Sequence, residues 1–298
     1  MTLRALHISD VHVDVPLSQI PLRDWLGKRL IGGANLVLRR RRHFRHTHEK
    51  LQALDRFRRE QGVDLVLCTG DCTALGSWAE LRAARAAIGP LAQAPLGFAT
   101  VPGNHDVYVP DAAREGRFEA TFGDLLRNDL PEHATPDGWP RVLLAGGDVA
   151  VVAVSSARPN PQPWRSSGAI PAAQIAALER VLADERVAGR FVFVITHYAP
   201  RLADGRPDRH LHGLDNADAL LRACGTLERG ALLHGHVHRC YRVLVPELRV
   251  PIFGAGSTTQ EGREGLWLFE LGPRGRAIRG TWAGDRYVLT DEAHALGW

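Results

Sequence analysis

Gly235-His236-Val237-His238 sets two imidazoles at spacing i, i+2, directly after the apolar run Leu232-Leu233 and His234. Side chains of an extended segment alternate between faces, so two residues at this spacing turn the same way. A pair of rings facing one way at the end of a strand can hold a metal ion, and Gly235 lets the backbone turn there. Four other stretches end in comparable chemistry. Asp10-Val11-His12 follows Leu3–Ser9, and Gly70-Asp71 follows Val63–Thr69. Gly103-Asn104-His105-Asp106 follows Gly97–Val101, and His197 follows Phe191–Thr196. The donors are carboxylate, imidazole and amide oxygen with no thiolate, a set that suits Mn, Fe, Zn or Ni better than Cu(I) or an iron–sulfur cluster. There are enough of them for two metals if one carboxylate bridges, the arrangement that clamps an in-line displacement at phosphorus.

The elements that must position these groups alternate between strand and helix. Apolar runs at 3–8, 63–69, 97–101, 149–154, 191–196 and 231–233 read as strands. Helical patterns are expected over 43–61, 78–88, near 114–127, over 171–184 and over 217–223, the first from Leu51, Leu54 and Phe57 on one face and Gly62 as its stop. Residues 107–147 read as mixed. The tail is strand-rich, with strands expected over 241–245, 250–255, 266–271 and 278–282. Such alternation implies an α/β fold, read as a single domain over 1–298, and in open α/β sheets ligands bind beyond the carboxyl ends of the strands. Every candidate donor stands at such an end.

A chain of 298 residues can bury a large core, and its net charge of +4 is mildly basic. That suits anionic partners without pointing to nucleic acid, and no specific nucleic-acid partner is predicted. Cys68, Cys72, Cys224 and Cys240 lack the paired spacing of a zinc ribbon or a disulfide framework. No stretch reads as a signal peptide or reaches membrane-spanning length, so the expected location is cytoplasmic, with peripheral membrane contact as a further possibility.

The ordered blocks D-x-H, G-D, G-N-H-D, H and G-H-x-H resemble the calcineurin-like metallophosphoesterase superfamily, here as Asp10-Val11-His12, Gly70-Asp71, Gly103-Asn104-His105-Asp106, His197 and Gly235-His236-Val237-His238. The resemblance implies a four-layer α/β/β/α sandwich of two mixed sheets. It implies that Asp10, His12 and His238 hold one metal ion, that Asn104, His197 and His236 hold the other, and that Asp71 bridges them. The ions would be Mn, Fe or Zn, and a metal-bound hydroxide would be the nucleophile. His105 would act as the catalytic group near the phosphoryl oxygens, and Asp106 would orient local backbone or His105. Protein phosphatases of this superfamily carry an Arg soon after the G-D block, whereas Asp71 is followed by Cys72-Thr73-Ala74-Leu75. The G-N-H-D block and the chain length resemble bacterial phosphodiesterases of the cyclic-nucleotide and glycerophosphodiester kind, which implies a small soluble substrate. The alternatives are a lipid-linked phosphate or diphosphate hydrolase similar to UDP-diacylglucosamine hydrolases and, ranked last because no ligand is missing, a non-catalytic scaffold.

Asn104, His210, His212 and Tyr198 are candidate substrate contacts, Tyr198 because relatives often carry a second His there. His7 and His234 read as packing residues, His43, His46 and His48 as solvated, and His133 and His294 as surface groups. Residues 14–48 form an insertion with apolar Leu17, Ile20, Leu22, Trp25, Leu26, Leu30 and Ile31, followed by Arg39 to Arg42 and Arg45. It reads as a solvated basic face or as a lid that meets an anionic membrane surface through residues 17–45 and brings a lipid phosphoester to the metals.

Overall fold

The computed structural model describes residues 2–13, 15–21, 24, 41–44, 46–160, 162 and 164–297. Two six-stranded mixed sheets stack face to face. The first runs β12 (Tyr287–Ala295), β11 (Arg276–Trp282), β10 (Leu266–Leu271), β1 (Leu3–Ile8), β2 (Leu65–Cys68), β3 (Gly97–Thr100). The second runs β4 (Arg141–Ala145), β5 (Val149–Ala153), β6 (Phe191–Ile195), β7 (Gly230–His234), β9 (Ile252–Gly254), β8 (Tyr241–Val243). β1, β2 and β3 are parallel, as are β5, β6, β7 and β9, while the added edge strands pair antiparallel. This is the α/β single-domain sandwich expected.

The period of two explains the layering. In β6, Phe191, Phe193 and Ile195 enter the core between the sheets, whereas Val192 and Val194 enter the core beneath the outer helices. An aromatic seam ties the sheets together. Phe193 meets Phe269 with ring centroids 5.0 Å apart, and Phe253 meets both Trp267 at 5.0 Å and Phe269 at 5.1 Å, all edge-on. Helices α1 (Thr47–Glu60) and α2 (Trp78–Ala87) contribute Leu51, Leu54, Phe57, Leu81 and Ala84 to the first core. Helices α5 (Ala172–Ala183) and α6 (Ala217–Cys224) contribute Leu178, Val181, Leu220 and Leu221 to the second. Helix α2 is set by a full capping box, Ser77 and Glu80 each accepting from the other's backbone N–H.

Three expectations need revision. The helix near 114–127 is broken into α3 (Pro110–Arg114) and α4 (Arg117–Phe122), because Gly116 takes φ +56° between them. Residues 107–147 also contain β4, and the tail carries β12 beyond the strands expected. The first long helix starts at Thr47, with His43 in a preceding 3-10 turn.

Of the insertion, Leu22, Trp25, Leu26, Leu30, Ile31, Arg39, Arg40 and Arg45 lie outside the described residues, as do the side chains of Leu17, Arg41 and Arg42. Its two described ends return to the body. Val15 and Ile20 pack with Ala74 and Leu75. Phe44 lies edge-on to His12, ring centroids 5.0 Å apart.

Candidate metal centre

The parallel strands of both sheets end at one edge, and loop hydrogen bonds lock the two ends together. The N–H of Thr258 donates to the Ser9 carbonyl (2.8 Å), and the N–H of His236 donates to Asp10 Oδ2 (3.0 Å). His197 Nδ1 donates to the Thr69 carbonyl (2.7 Å), crossing from β6 to β2. Side-chain bulk is excluded at the junction. A Cβ on Gly235 would lie 1.8 Å from Ser9 Oγ, and one on Gly103 would lie 2.1 Å from Asp71 Oδ1.

Asp10, His12, Asp71, Asn104, His197, His236 and His238 all come to this edge. In one half, His12 Nε2 lies 3.2 Å from His238 Nε2 and 3.8 Å from Asp10 Oδ1, and His238 Nε2 is 3.0 Å from that same oxygen. In the other, Asn104 Oδ1 lies 3.1 Å from His197 Nε2 and 3.0 Å from His236 Nδ1. Between them stands Asp71, whose Oδ2 is 3.9 Å from His12 Nε2 and 3.5 Å from His197 Nε2. Its other oxygen accepts from the His105 N–H at 2.8 Å.

The donor set fits metal ions in three respects. Asp10 Oδ1 is buried and, among the described residues, meets only imidazole nitrogens, His238 Nε2 at 3.0 Å and His12 Nε2 at 3.8 Å. Each histidine gives its other ring nitrogen to an oxygen: His12 Nδ1 to the Thr73 carbonyl (3.0 Å), His197 Nδ1 to the Thr69 carbonyl, His236 Nε2 to the His212 carbonyl (3.0 Å), and His238 Nδ1 to Gln260 Oε1. Only N–H can donate to these oxygens, so in each ring's neutral form the nitrogen facing the cluster carries the lone pair a metal needs. Finally, every described non-glycine residue with positive φ belongs to the set: Asp10 (53°), His12 (46°), Asp71 (55°), His236 (68°) and His238 (49°). Left-handed backbone is costly for these side chains, and its confinement to the donors marks where the fold is held in strain.

Electrostatics separate the two halves. Burial holds His197 below the ordinary histidine range against the opposing charge of Asp10, and burial followed by the charge of His197 and His212 holds His236 well below it, so both are neutral near pH 7. His238 moves up: burial opposes its charge, but the adjacent Asp10 carboxylate outweighs it. Asp10 moves down, because His238 and then His197 and His12 outweigh the burial that would raise it.

His105 donates Nδ1–H to the Ala74 carbonyl (2.6 Å) and stacks on Tyr108 with centroids 5.4 Å apart. Asp106 organises the backbone beneath, accepting from the N–H groups of Cys72 (3.1 Å), Thr73 (2.9 Å) and Gly103 (2.9 Å). Burial and the nearby Asp71 push its pKa up to about 7.

Asp71, Asn104, His105, His236 and His238 line an open groove of about 510 Å³ together with Ser166, His212, Val237, Arg239, Gln260 and Arg263. Of the candidate substrate contacts, Asn104 and His212 are in this groove. His212 is half-exposed, its ring centroid 4.2 Å from that of His236, and it donates Nδ1–H to Asp208 (2.5 Å). His210 is exposed and does not line the groove. Tyr198 is a correction: it is fully buried behind His236, ring centroids 4.3 Å apart, and its hydroxyl donates to the Ser166 carbonyl at 2.6 Å, so packing has claimed it. His7 and His234 are buried packing residues as expected, His7 Nε2 standing 3.0 Å from Thr69 Oγ1. His133 is only half-buried and forms an ion pair with Asp184 (2.8 Å).

Sequence reading passed over Gln260, Arg239 and Arg263. The signal available was positional: Gly256-Ser-Thr-Thr-Gln260 follows β9, which is parallel to β7, so its loop had to emerge at the same edge. There Ser257, Thr258 and Thr259 donate their hydroxyls to the carbonyls of Asp10 (2.6 Å), Ser9 (2.7 Å) and Val11 (2.6 Å).

The family model for calcineurin-like phosphoesterases matches residues 3–240. The chain belongs to that family. Among curated proteins, none matches the sequence. Solved structures share the fold at low identity. A dimetal phosphatase from Danio rerio is 13% identical with a TM-score of 0.61, covering 96% of this chain and 98% of its own. A purple acid phosphatase from yellow lupin is 11% identical with a TM-score of 0.60, covering 99% of this chain and 53% of its own. A putative 5'-nucleotidase from Staphylococcus aureus is 16% identical with a TM-score of 0.51, covering 99% of this chain and 54% of its own. The chain thus spans about half the length of the last two. Family and donor clusters together support a dinuclear metal-dependent hydrolase of phosphoric esters. Among the described residues, no helix is long and apolar enough to cross a membrane.

Proposed function

We propose that this calcineurin-like phosphoesterase is a phosphodiesterase, with Asp10, His12 and His238 holding one metal ion, Asn104, His197 and His236 a second, and Asp71 bridging. The observation that carries the reading is the division of seven donors into two clusters that share Asp71 Oδ2 on the floor of an open groove. When bound, Mn, Fe or Zn ions at these positions would polarise phosphoryl oxygens and lower the pKa of water. The chain's own groups do the rest. The Ala74 carbonyl holds Nδ1–H of His105 and leaves Nε2 as the ring atom turned to the ester; when the ring carries a second proton, Nε2–H stabilises charge on the phosphoryl group or passes that proton to the leaving oxygen and returns the ring to its neutral form. His212, held by Asp208 and lining the same groove, is a further group for the substrate to meet. An open groove of about 510 Å³ extends past the donors, and the space it offers to a second substituent on phosphorus is what favours a diester in this reading.

The test is hydrolysis of bis-p-nitrophenyl phosphate by protein reconstituted with Mn, with p-nitrophenyl phosphate as the monoester control. Faster turnover of the diester is expected. A fully metallated protein inert to both would overturn the phosphoesterase reading, and a monoester preference would overturn the diester assignment.

One observation favours a lipid-linked ester as a second reading. Trp164 and Leu211 are large, apolar and exposed at 72% and 43%, on loops paired beside the groove through the Ser166 N–H and the Leu211 carbonyl (2.9 Å). Sedimentation with anionic vesicles separates the readings, since a soluble-substrate enzyme would stay in the supernatant. The basic run at residues 39–45 would add to such binding.

A further inference from the structure

Two guanidinium groups share the groove with the metal donors and have no role in holding them. Arg239 follows His238 directly, and Arg263 lies at the end of the turn that begins at Gln260, its N–H donating to the Gln260 carbonyl (3.1 Å). Both are exposed, and neither has an ion-pair or side-chain hydrogen-bond partner among the described residues. Nearby carboxylates are engaged elsewhere. Glu264 pairs with Lys50 (2.5 Å), Asp208 with His212 (2.5 Å), and Asp215 with Arg158 and Arg165. Glu261, on the same turn as Arg263, stands 3.9 Å from His46 Nε2.

Their backbone is also fixed in place. Arg239 is anchored by a neighbour with φ +49°, whose ring is tied to Gln260. The turn carrying Arg263 is anchored by Ser257, whose hydroxyl donates to the Asp10 carbonyl and accepts from the Gln260 N–H (3.0 Å). Two forked cations thus line the same groove as His238 and the other donors. A planar fork of N–H donors matches phosphate oxygens in two-point contacts. The scissile phosphoryl group belongs over the metal donors, and the two arginines are left available for a second anion in the same groove.

We infer that Arg239 and Arg263 form an anion subsite that selects phosphoesters carrying a second phosphate on the part of the substrate that is not cleaved. The inference rests on the phosphoesterase reading for the position of the first phosphate.

Isothermal titration of Mn-reconstituted protein with thymidine 5'-monophosphate and thymidine 3',5'-bisphosphate, two ligands differing by one phosphate, reads the subsite without turnover. The bisphosphate is expected to bind about tenfold more tightly, as charge-assisted contacts allow. That advantage should fall to less than about twofold in Arg239→Gln/Arg263→Gln, and partly in Arg263→Gln alone, whose exposed position puts folding at little risk. Arg→Lys at both positions should restore part of it, since charge returns without the fork. Equal affinity for the two ligands in the wild type, or an advantage unchanged in the variants, would overturn the subsite. Bis-p-nitrophenyl phosphate hydrolysis reports separately on the phosphoesterase reading, because that ester carries no second phosphate. A bisphosphate preference in a protein inert to the ester would keep the subsite and discard the enzyme.

Discussion

The two halves of the donor cluster are built from the same fold but not from the same chemistry. The Asp10–His12–His238 half carries its own carboxylate in addition to its share of Asp71, and His238 keeps 18% of its side chain exposed. The Asn104–His197–His236 half has a neutral amide in place of that carboxylate, and His197 is fully buried. Negative charge facing a cation strengthens its binding, so the first half should be the tighter site at alkaline pH. Burial keeps the rings of the second half unprotonated, so that half should be the more tolerant of acid. One half is built for affinity and the other for constancy.

The largest effect should come from removing what the halves share. Asp71→Ala should release both ions and lower diester hydrolysis by at least about a thousandfold, given the several kcal/mol that two-metal clamping contributes. Metal analysis and initial rates check this. Next in size are changes that break one half alone. His238→Ala should leave about one ion per chain, bound by the Asn104 half, while Asn104→Ala should leave one bound by the Asp10 half. Two ions retained in either variant would contradict the division.

The pH dependence sharpens the same contrast. The pKa of His238 is raised in the folded chain, so a metal entering its half must displace a proton, and affinity there should fall as pH drops through that raised value. His197 and His236 are depressed, and their half should hold its ion to lower pH. For the metal-free chain the signs run oppositely. The Asp10–His238 pair stabilises the fold below the unfolded histidine pKa, and its His238 contribution is lost as pH rises through the folded value. Mn titrations between pH 5 and 8 should therefore show the first half losing its affinity first. The smallest effect is expected from Gln260→Ala, which leaves all seven donors intact but frees the His238 ring. About a tenfold loss of affinity confined to the first half is expected, read by competition with a chelator.

How much of this could be read from the chain depended on whether local pattern or distant contact fixed each feature. The seven donors were legible because each follows an apolar strand and belongs to a short block of fixed spacing. β12 was not, since Tyr287–Ala295 is a half-exposed edge strand with Asp291, Glu292 and His294 along it, and no hydrophobic run announces it. β4 is five residues long and sits in a region of broken helices. Tyr198 was misplaced because the second His that relatives carry at that position suggested a substrate contact, whereas its hydroxyl found the Ser166 carbonyl 32 residues away. Gln260 escaped notice for the same reason: its meeting with His238 depends on three hydroxyls reaching across to the end of β1.

The left-handed backbone of the five donors has a consequence for how such a chain would change over generations. A side chain in that conformation costs roughly 1–2 kcal/mol relative to a relaxed one, and glycine escapes the cost. Metal binding, as proposed, is the demand that would keep Asp or His there. A lineage released from that demand would gain stability by replacing the donors with glycine one at a time, and its sandwich would survive intact. The fold and the chemistry proposed for this chain are therefore separable, and Asp10, His12, Asp71, His236 and His238 are the positions at which they would part.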